Sequence, residues 1–417
     1  MPSTNCRLER FPIAALVACA LLANDALAQT PTHDNIAYAQ VTNDDGTPAT
    51  LRLDVWEATA DVERAPLLIW IHGGAWLGGT YDSPPRGLQQ FLNAGYAVAS
   101  VQYRLSSAAI FPAQIHDVKG ATRFLRAHAD EYGLDASRFV SFGTSAGGHL
   151  AALLATSGGI DVLEGNTGGN LELSSRVQAA IDGFGPTDLL QMNLDVTTPP
   201  GSVINHDAPN APESQLIGFD GTGQGIGVLR ANLNNPVAPF PEKAALVANA
   251  NPITHVDAAD PPMFIAHGDQ DNVVPQKQSV RLADALQAAG VRHEYRSVAG
   301  EGHGFGAQSN TVTNEAIAFL AANLEPVAGD FNRDGQVDAA DYAVWQENYG
   351  TNLISADANG NGQVDAGDYT IWRDKFASAS QIAAALPEPA AWRAMSIALA
   401  ASGLLRVRSL GYLYPNP

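Results

Sequence analysis

Residues 139–154 read Phe-Val-Ser-Phe-Gly-Thr-Ser-Ala-Gly-Gly-His-Leu-Ala-Ala-Leu-Leu, and the rest of the chain is organised around them. An apolar run passes through Gly143, Ser145 and Gly147 into an Ala/Leu-rich segment, which predicts a strand, a very tight turn and a helix. The glycines are needed because side chains there would collide where strand and helix cross. We therefore predict that Ser145 is a nucleophile in a strained turn, beside the first amides of the helix.

The length, composition and net charge of the chain limit the classes of protein to which it can belong. It has 417 residues and a formal net charge of −20, and 46% of its residues are hydrophobic. This length allows one large core plus an accessory module. The negative charge argues against nucleic acid and anionic membrane surfaces as partners, because both require a basic face.

Residues 1–28 have the pattern of a secretory signal peptide. An apolar run from Phe11 to Ala23 follows two arginines, and Ala26-Leu27-Ala28 is a small-x-small cleavage site. Leu16-Val17-Ala18-Cys19 also resembles a bacterial lipoprotein box, which leaves lipidation of Cys19 as the alternative. Cleavage after Ala28 would remove Cys6 and Cys19, the two cysteines of the chain, and with them any disulfide. We expect a bacterial protein that is secreted or held at the cell surface.

The segments on either side of the serine predict a mostly parallel sheet. Alternating residues from Ala37 to Trp56, with a turn at Asp44-Asp45-Gly46, predict two antiparallel strands. Further strands are predicted at 66–71, 96–101, 177–184, 262–267 and 293–298, and helices at 113–132 and 279–289. This order of elements is that of a doubly wound α/β fold, which we place at residues 29–326.

In one long segment of this domain, the apolar residues do not recur with the period of a helix or of a strand. Residues 188–250 are rich in proline, asparagine and glycine, and they are too many for a plain loop. We interpret the segment as a cap insertion over the site that sets the shape of the substrate.

A serine hydroxyl needs two partners to become a nucleophile at neutral pH. A histidine must take its proton, and a carboxylate must fix the tautomer of that imidazole. In this fold the partners follow in the order serine, acid, histidine, each in a loop after a strand. His303 lies in the Gly-rich loop after the last predicted strand and is the candidate base. Asp271 is preferred to Asp269 as the acid because it begins a D-x-x-V-P turn, whereas Asp269 can cap that turn. Five other histidines are interpreted as structural or exposed: His72, His116, His149, His267 and His293.

A second Gly-rich loop follows the central predicted strand. It reads His72-Gly73-Gly74-Ala75-Trp76. Two consecutive glycines leave backbone N–H groups uncovered, and such donors stabilise an oxyanion.

These motifs resemble the α/β-hydrolase superfamily from about Val41 to Leu324. Within it, the chain is similar to secreted esterases and lipases of the hormone-sensitive-lipase-like group and to bacterial feruloyl or acetylxylan esterases. The motifs are His72–Trp76, Tyr103-Arg104-Leu105, Gly143–Gly148, Asp271–Pro275 and Gly302-His303-Gly304. The resemblance implies a catalytic triad of Ser145, Asp271 and His303 that needs no cofactor. It also implies an oxyanion hole formed by amides of Gly73, Gly74 and Ala146. Ala75 stands where many lipase-like relatives have a third glycine, which leaves open which two loop amides act.

Two acidic loops follow the hydrolase-like region. Residues 330–341 carry oxygen side chains at loop positions one, three, five, nine and twelve and glycine at six, which is the spacing of a calcium loop. Residues 357–368 repeat it, and an aromatic helical segment follows each loop. The predicted calcium ligands are Asp330, Asn332, Asp334, the carbonyl of Gln336, Asp341, Asp357, Asn359, Asn361, the carbonyl of Gln363 and Asp368.

The aspartate at position twelve makes residues 327–380 similar to dockerin type I domains. The resemblance implies a small all-α module with structural Ca²⁺ and a cohesin-like or cell-surface partner. Dockerins usually carry hydroxyl residues at positions ten and eleven for cohesin, and here these positions hold Ala339-Ala340 and Ala366-Gly367. Cohesin binding therefore stays open.

Residues 385–417 resemble the PEP-CTERM sorting signal of some Gram-negative bacteria. Leu386-Pro387-Glu388-Pro389 precedes an apolar stretch from Ala394 to Leu405, and arginines follow. The apolar stretch is shorter than the about 20 residues of a bilayer span. Membrane contact is expected through this tail alone, and a frayed amphipathic end is the alternative.

Three function classes are consistent with these features. The first is a serine carboxylic-ester hydrolase for short-chain or aromatic acyl esters, including acyl groups on plant or algal polysaccharide. The second is a serine peptidase or amidase of the prolyl-oligopeptidase type, and the third is an inactive domain in a calcium-dependent binding protein. We predict the first because all three triad residues and an oxyanion loop are present. The acyl group and the alcohol are not predicted, because they depend on the cap.

Overall fold

The computed structural model describes residues 30–60, 62, 64–196, 202–324, 328–332, 337–351, 353, 356–359 and 361–385, the last nine by their backbone alone. The predicted signal peptide and lipoprotein box, the sorting tail after residue 385, and two predicted calcium ligands, Asp334 and Gln336, lie outside these ranges. The described residues form two compact units, 30–324 and 328–385.

The first unit is built on an eight-stranded sheet. The strands are β1 (His33–Thr42), β2 (Pro48–Trp56), β3 (Ala65–Ile71), β4 (Ala97–Val101), β5 (Leu134–Thr144), β6 (Ala179–Gly183), β7 (Met263–Gly268) and β8 (His293–Val298). Their order is β1-β2-β4-β3-β5-β6-β7-β8. β2 pairs antiparallel with β1 and β4, and the remaining pairs are parallel. The predicted mostly parallel α/β fold is confirmed.

The central strands are apolar throughout because both faces of the sheet are covered. Every residue of β3 is buried. Leu67, Ile69 and Ile71 join one hydrophobic core, whereas Leu68 and Trp70 join the core on the opposite face. Side chains of a strand point alternately to its two faces, so a strand between two helical layers must be hydrophobic at every position.

Helices cover the sheet and link its strands. Those of the first unit are α1 (Leu88–Asn93), α2 (Ala113–Ala127), α3 (Ala146–Thr156), α4 (Asp161–Glu164), α5 (Pro212–Leu216), α6 (Ile226–Ala231), α7 (Phe240–Ala250), α8 (Pro252–His255), α9 (Lys277–Ala289) and α10 (Ser309–Asn323). The prediction that α2 continues to residue 132 is wrong. The chain turns after Ala127 because Gly133 has a φ of 61° and the N–H of Leu134 bonds to Ala129, which directs the chain into β5.

The second unit contains α11 (Ala339–Asn348) and α12 (Ala366–Ala385). Phe331, Ala356 and Val364 form its small buried core. Within the described ranges, no helix of the protein is long and apolar enough to cross a membrane.

Candidate active site

Ser145 lies in the turn between β5 and α3, on a backbone that side chains rarely adopt. Its φ and ψ are 56° and −125°. Its N–H donates to the carbonyl of Gly183, at the end of β6, over 2.8 Å. A non-glycine residue at such a positive φ costs roughly 1–3 kcal/mol. The bond to Gly183 ties this strained turn to the neighbouring strand.

Two glycines allow the turn to be this tight. A Cβ at Gly143 would overlap the carbonyl oxygen of Gly147, and a Cβ at Gly147 would overlap that of Ile71 in β3. Any side chain at either position would push α3 away from the sheet. Glycine at both positions is therefore a steric requirement of the strand-to-helix crossing.

His303 connects Ser145 to Asp271. Its Nε2 lies 3.0 Å from Ser145 Oγ, and its Nδ1 lies 2.8 Å from Asp271 Oδ2. Because a carboxylate only accepts hydrogen bonds, Nδ1 carries the proton and Nε2 is free to accept one from the serine. The three residues, each in a turn after a parallel strand, thus lie in the order required for proton transfer away from the hydroxyl.

Asp271 is held as a carboxylate despite its burial. Burial raises its pKa, but hydrogen bonds from His267 and His303 outweigh that effect and lower the pKa below its usual range. Its Oδ1 also accepts the N–H groups of Val273 and Val274 at 2.8 and 2.9 Å. The D-x-x-V-P turn therefore supplies backbone donors that fix the carboxylate.

Asp269 contacts a different part of the site. Its Oδ1 accepts the N–H of Gly300 at 2.8 Å and the side-chain amide of Gln270 at 3.1 Å. The carboxylate thus holds the start of the loop that carries His303, whereas Asp271 contacts the imidazole itself.

The loop 72–76 folds back against the serine turn. A Cβ at Gly73 would lie 2.8 Å from the carbonyl oxygen of Thr144 and 3.4 Å from Ser145 Cβ, so the backbone of this loop approaches Ser145 closely. Gly74, Ala75 and Trp76 have φ values of 110°, 57° and 56°. Ala146 is the first residue of α3, and an N–H at that position has no acceptor within its own helix. The structure thus brings Gly73 and Ala146 of the predicted oxyanion hole next to Ser145, and Gly74 follows Gly73 in the same loop.

The Tyr103-Arg104-Leu105 motif contacts this loop through Tyr103. The Tyr103 hydroxyl donates to the carbonyl of His72 at 3.0 Å, and the two rings stack with centroids 4.4 Å apart. Arg104 forms two side-chain hydrogen bonds to the buried Asp117 of α2, at 2.7 and 2.8 Å. His72 is therefore a structural residue that anchors the Gly-rich loop to the sheet.

His149 has a larger role than sequence reasoning gave it. The side chain is fully buried in α3; Trp76 Nε1 donates to its Nδ1 at 3.2 Å, and its Nε2 donates to the carbonyl of Ala250 at 2.7 Å. One imidazole thereby connects the Gly-rich loop, the serine helix and the end of α7. Its partners lie 73 and 101 residues away in the chain, so no local pattern signals them.

Acid should destabilise the fold through His149. Burial lowers its pKa to about 4, whereas an unfolded histidine titrates near 6.5. The unfolded state therefore binds the proton first, and the stability that His149 contributes is complete above about pH 6.5 and is lost as the pH falls towards 4. We expect the difference in unfolding free energy between wild type and His149→Gln to shrink by roughly 2–3 kcal/mol from pH 7.5 to 4.5. Urea unfolding at the two pH values measures this, and an unchanged difference would contradict it.

His267 was also interpreted as structural or exposed, and the structure buries it beside Asp271. Its Nε2 lies 3.2 Å from Asp271 Oδ2. His116 bonds to the backbone carbonyl of Val162, and His293 bonds to that of Val291, each through one ring nitrogen. Neither of these bonds involves Ser145, Asp271 or His303.

In the second unit, the aspartates at position twelve organise the described parts of the two loops. Asp341 accepts backbone N–H groups from three residues of its loop at 2.7–3.0 Å, and Asp368 accepts two at 2.7 and 3.0 Å. Both carboxylates are fully buried. In the second loop Asp357 also accepts N–H groups, from Asn361 at 3.1 Å and Gly362 at 2.7 Å. The aspartate at position twelve therefore ties together the described backbone amides of its own loop.

The two halves of this unit hold one another symmetrically. Trp345 donates its indole N–H to the carbonyl of Asp365, and Trp372 donates to that of Asp338, both at 2.8 Å. Asp338 and Asp365 occupy position nine of their loops. Each loop is therefore fixed by the helix that follows the other. Among the described residues, no group of three His, Cys, Asp or Glu side chains is arranged to hold a metal; the predicted ligand sets also use asparagine and carbonyl oxygens.

Family models match both units. Residues 53–286, more than half of the chain, match the model described as BD-FAE. The chain belongs to the BD-FAE family. Residues 226–347 also match the dienelactone hydrolase family, and residues 328–376 match the dockerin type I domain. The predicted α/β-hydrolase and dockerin resemblances are thereby confirmed.

Individual relatives are esterases by name. Esterase LipQ of Mycobacterium tuberculosis is 31% identical over 242 residues, which cover 57% of this chain and 50% of LipQ. The chain spans about half the length of LipQ and of the probable carboxylic ester hydrolase LipM of the same organism.

Two solved structures are also similar to this chain. A truncated carbohydrate esterase from gut microbiota is 29% identical, with a TM-score of 0.55, and the match covers 71% of this chain and 99% of that one. A bifunctional GH43-CE protein of Bacteroides eggerthii is 34% identical, with a TM-score of 0.56, over 66% of this chain and 33% of that one.

Proposed function

We propose that this BD-FAE protein is a serine carboxylic-ester hydrolase. The observation that carries the proposal is the hydrogen-bonded series Ser145, His303, Asp271, with distances of 3.0 and 2.8 Å. It lies beside a Gly-rich loop and a helix N-terminus, where an oxyanion would form. The esterase names of LipQ and of the carbohydrate esterase support the same class.

The mechanism follows from these contacts. Ser145 Oγ attacks the ester carbonyl while His303 Nε2 takes its proton, and Asp271 stabilises the imidazolium. Amides of Ala146 and of Gly73 or Gly74 stabilise the negative charge on the carbonyl oxygen. His303 then gives the proton to the departing alcohol, leaving an acyl-enzyme. Water attacks the acyl group with His303 again as base, which releases the acid and restores Ser145.

We propose acyl groups on polysaccharide as the substrate class. The support is the carbohydrate esterase of gut microbiota, which the chain matches over almost the whole of that protein. The segment 188–250 would form one wall of the acyl and alcohol sites as a cap. The N–H of Val203 in this segment donates to the carbonyl of Asn272 at 2.9 Å, which brings the segment to the residue after Asp271.

A substrate panel tests the class of reaction. The intact protein would be assayed on p-nitrophenyl acetate and butyrate, a longer acyl ester, methyl ferulate, acetylated xylan and an aminoacyl p-nitroanilide. We expect hydrolysis of the short-chain or feruloyl esters and acetate release from xylan. Cleavage of the anilide without ester hydrolysis would replace the proposal with a peptidase or amidase, and no turnover of any substrate would favour an inactive domain.

The dockerin domain would hold Ca²⁺ without taking part in the chemistry. Carboxylate, amide and carbonyl oxygens are the ligands that calcium takes in such loops, and the buried aspartates at position twelve fit this set. Its ligands would be Asp330, Asn332, Asp334, Gln336 and Asp341 in one loop and Asp357, Asn359, Asn361, Gln363 and Asp368 in the other. We also propose that the protein acts outside the cell or at its surface, with a cohesin-like partner for this domain.

Removing calcium should unfold the dockerin domain and leave hydrolysis intact. Extracellular calcium loops bind at about 10⁻⁴–10⁻³ M, so a chelator empties them readily, and the carboxylates gathered in each turn then repel one another. We expect residues 328–376 to become protease-sensitive in chelator while ester hydrolysis persists. The second loop should empty first, because Asn361 stands where the first loop has Asp334. Limited proteolysis and calorimetry measure this.

The control is the double variant Asp341→Ala and Asp368→Ala. It should be protease-sensitive in this region even with calcium and should hydrolyse esters normally. Calcium uptake that is unaffected by the double substitution would contradict the assignment.

A further inference from the structure

His267, at the end of β7, is fully buried and contacts Asp271 of the proposed triad. Its Nε2 lies 3.2 Å from Asp271 Oδ2 and 3.0 Å from the carbonyl oxygen of Val274. Its Nδ1 lies 2.7 Å from the hydroxyl of Ser279 in α9. Each ring nitrogen therefore has a partner inside the protein.

These partners fix which nitrogen carries hydrogen. Both neighbours of Nε2, a carboxylate and a carbonyl, only accept hydrogen bonds. Nε2 must therefore be protonated whether the ring is neutral or charged. Ser279 can donate to Nδ1 of the neutral ring or accept from it, so the serine is compatible with either state.

The carboxylate of Asp271 consequently has donors at both oxygens. Oδ1 accepts two backbone N–H groups, from Val273 and Val274, and Oδ2 accepts the imidazole N–H of His303. Oδ2 also lies 3.2 Å from Nε2 of His267, whose hydrogen it shares with the carbonyl of Val274. A carboxylate has about four acceptor positions, and a buried one is costly unless they are filled. His267 adds a second imidazole beside Oδ2, so rotation of the carboxylate would move Oδ2 away from both rings.

Phe184 restricts the same two imidazoles sterically. Its ring meets the ring of His303 edge-on at 4.8 Å and that of His267 at 6.2 Å. The residue is buried and has a φ of 47°, so its backbone is held in a conformation that side chains rarely adopt. The rings of His303 and His267 thus both pack against one buried side chain.

From this geometry we propose that His267 is a positioning residue, which holds the Asp271 carboxylate in the orientation that receives His303. The inference rests on the proposed ester hydrolase, and it extends the functional series to Ser145, His303, Asp271, His267 and Ser279. His267 does not touch the reacting atoms; it acts through Asp271.

Replacing His267 tests the role through kcat and pH dependence. His267→Phe keeps the ring and removes the donor, whereas His267→Gln retains an N–H that reaches the position of Nε2. We expect kcat of His267→Phe to fall roughly 10–100-fold, well below the about 10⁴-fold loss for a missing carboxylate, with KM little changed. His267→Gln should recover most of this loss.

The pH profile separates positioning from a general structural effect. Without the donor on Oδ2, the coupled carboxylate and imidazole bind their proton more tightly, so the acid limb of kcat/KM should move to higher pH. Asp182 also has an electrostatic interaction with His267, and burial raises the pKa of Asp182 to about 6. The profile is therefore repeated in an Asp182→Asn background, where the shift of the limb should persist.

Controls keep this test decisive. His116→Phe makes the same substitution on α2, where the ring bonds to Val162, and should leave kcat and the acid limb unchanged. Folding of each variant is checked by circular dichroism and thermal unfolding. A folded His267→Phe with wild-type kcat and limb, or equal losses in the Phe and Gln variants, would overturn the proposal.

A readout without turnover distinguishes this inference from the proposed function. Selective ¹⁵N-histidine NMR of the intact protein reports which nitrogen of His267 carries hydrogen, and we expect Nε2. If the wild type hydrolyses no ester, or if Ser145→Ala retains full activity, the proposed function fails. If instead His267 is protonated on Nδ1 alone in an active enzyme, the positioning role fails and the proposed function stands.

Discussion

Ser145→Ala should lose ester hydrolysis altogether, by roughly 10⁶-fold in kcat if the residue is the nucleophile. The acyl-enzyme needs an oxygen at this position, and methyl cannot supply it. The fold should persist, because alanine meets the same backbone strain at φ 56° as serine does and fills nearly the same space. Ester assays with circular dichroism measure both parts, and undiminished activity would contradict the assignment.

A matched control comes from β5, the strand that precedes this turn. Ser141 is buried in β5, and its hydroxyl donates to the carbonyl of Ala151 at 2.8 Å. Ser141→Ala should cost about 1 kcal/mol of stability for the lost hydrogen bond and retain turnover. The pair of variants therefore separates loss of a buried serine from loss of the nucleophile.

Features that a short stretch encodes could be predicted from the sequence. The central strand β3 is a continuous apolar run, and the turn at Ser145 requires glycine on both sides for a steric reason that the structure reproduces. Asp271 and His303 lie in short Gly-containing loops after strands, where the topology gathers loop residues at one edge of the sheet. Their juxtaposition follows from the fold, and their catalytic roles stay predictions.

Features that depend on distant partners could not be predicted. His149 bonds to Trp76 and Ala250, which are 73 and 101 residues away in the chain. The partners of His267 are closer, four and twelve residues ahead at Asp271 and Ser279, but they meet the ring only because the chain after β7 folds back over it. A lone histidine in an apolar run carries no signal of such partners.

The helices of segment 188–250 could not be predicted from the sequence for the same reason. The segment contains α5, α6 and α7 although its sequence has no clear period. Helices this short are not stable on their own, so tertiary bonds must fix them. Ser214 provides such bonds: its hydroxyl donates to the carbonyl of Ala208 and accepts the N–H of Ile226 at the start of α6.

Asp271→Asn should reduce kcat by about 10⁴-fold, whereas Asp269→Asn should change it little. The N–H groups of Val273 and Val274 will hold the amide oxygen at the Oδ1 position, which directs the NH₂ group towards His303. Two donors then face each other, and the imidazole must place its hydrogen on Nε2, the nitrogen that should accept the proton of Ser145.

Asp269→Asn keeps an oxygen that can accept the N–H of Gly300, so the loop before His303 should retain its position. Both variants carry the same chemical change, two residues apart, and the comparison of their kcat values on the best ester of the panel isolates the position. A larger loss in Asp269→Asn would make Asp269 the acid and would require His303 to turn away from Asp271.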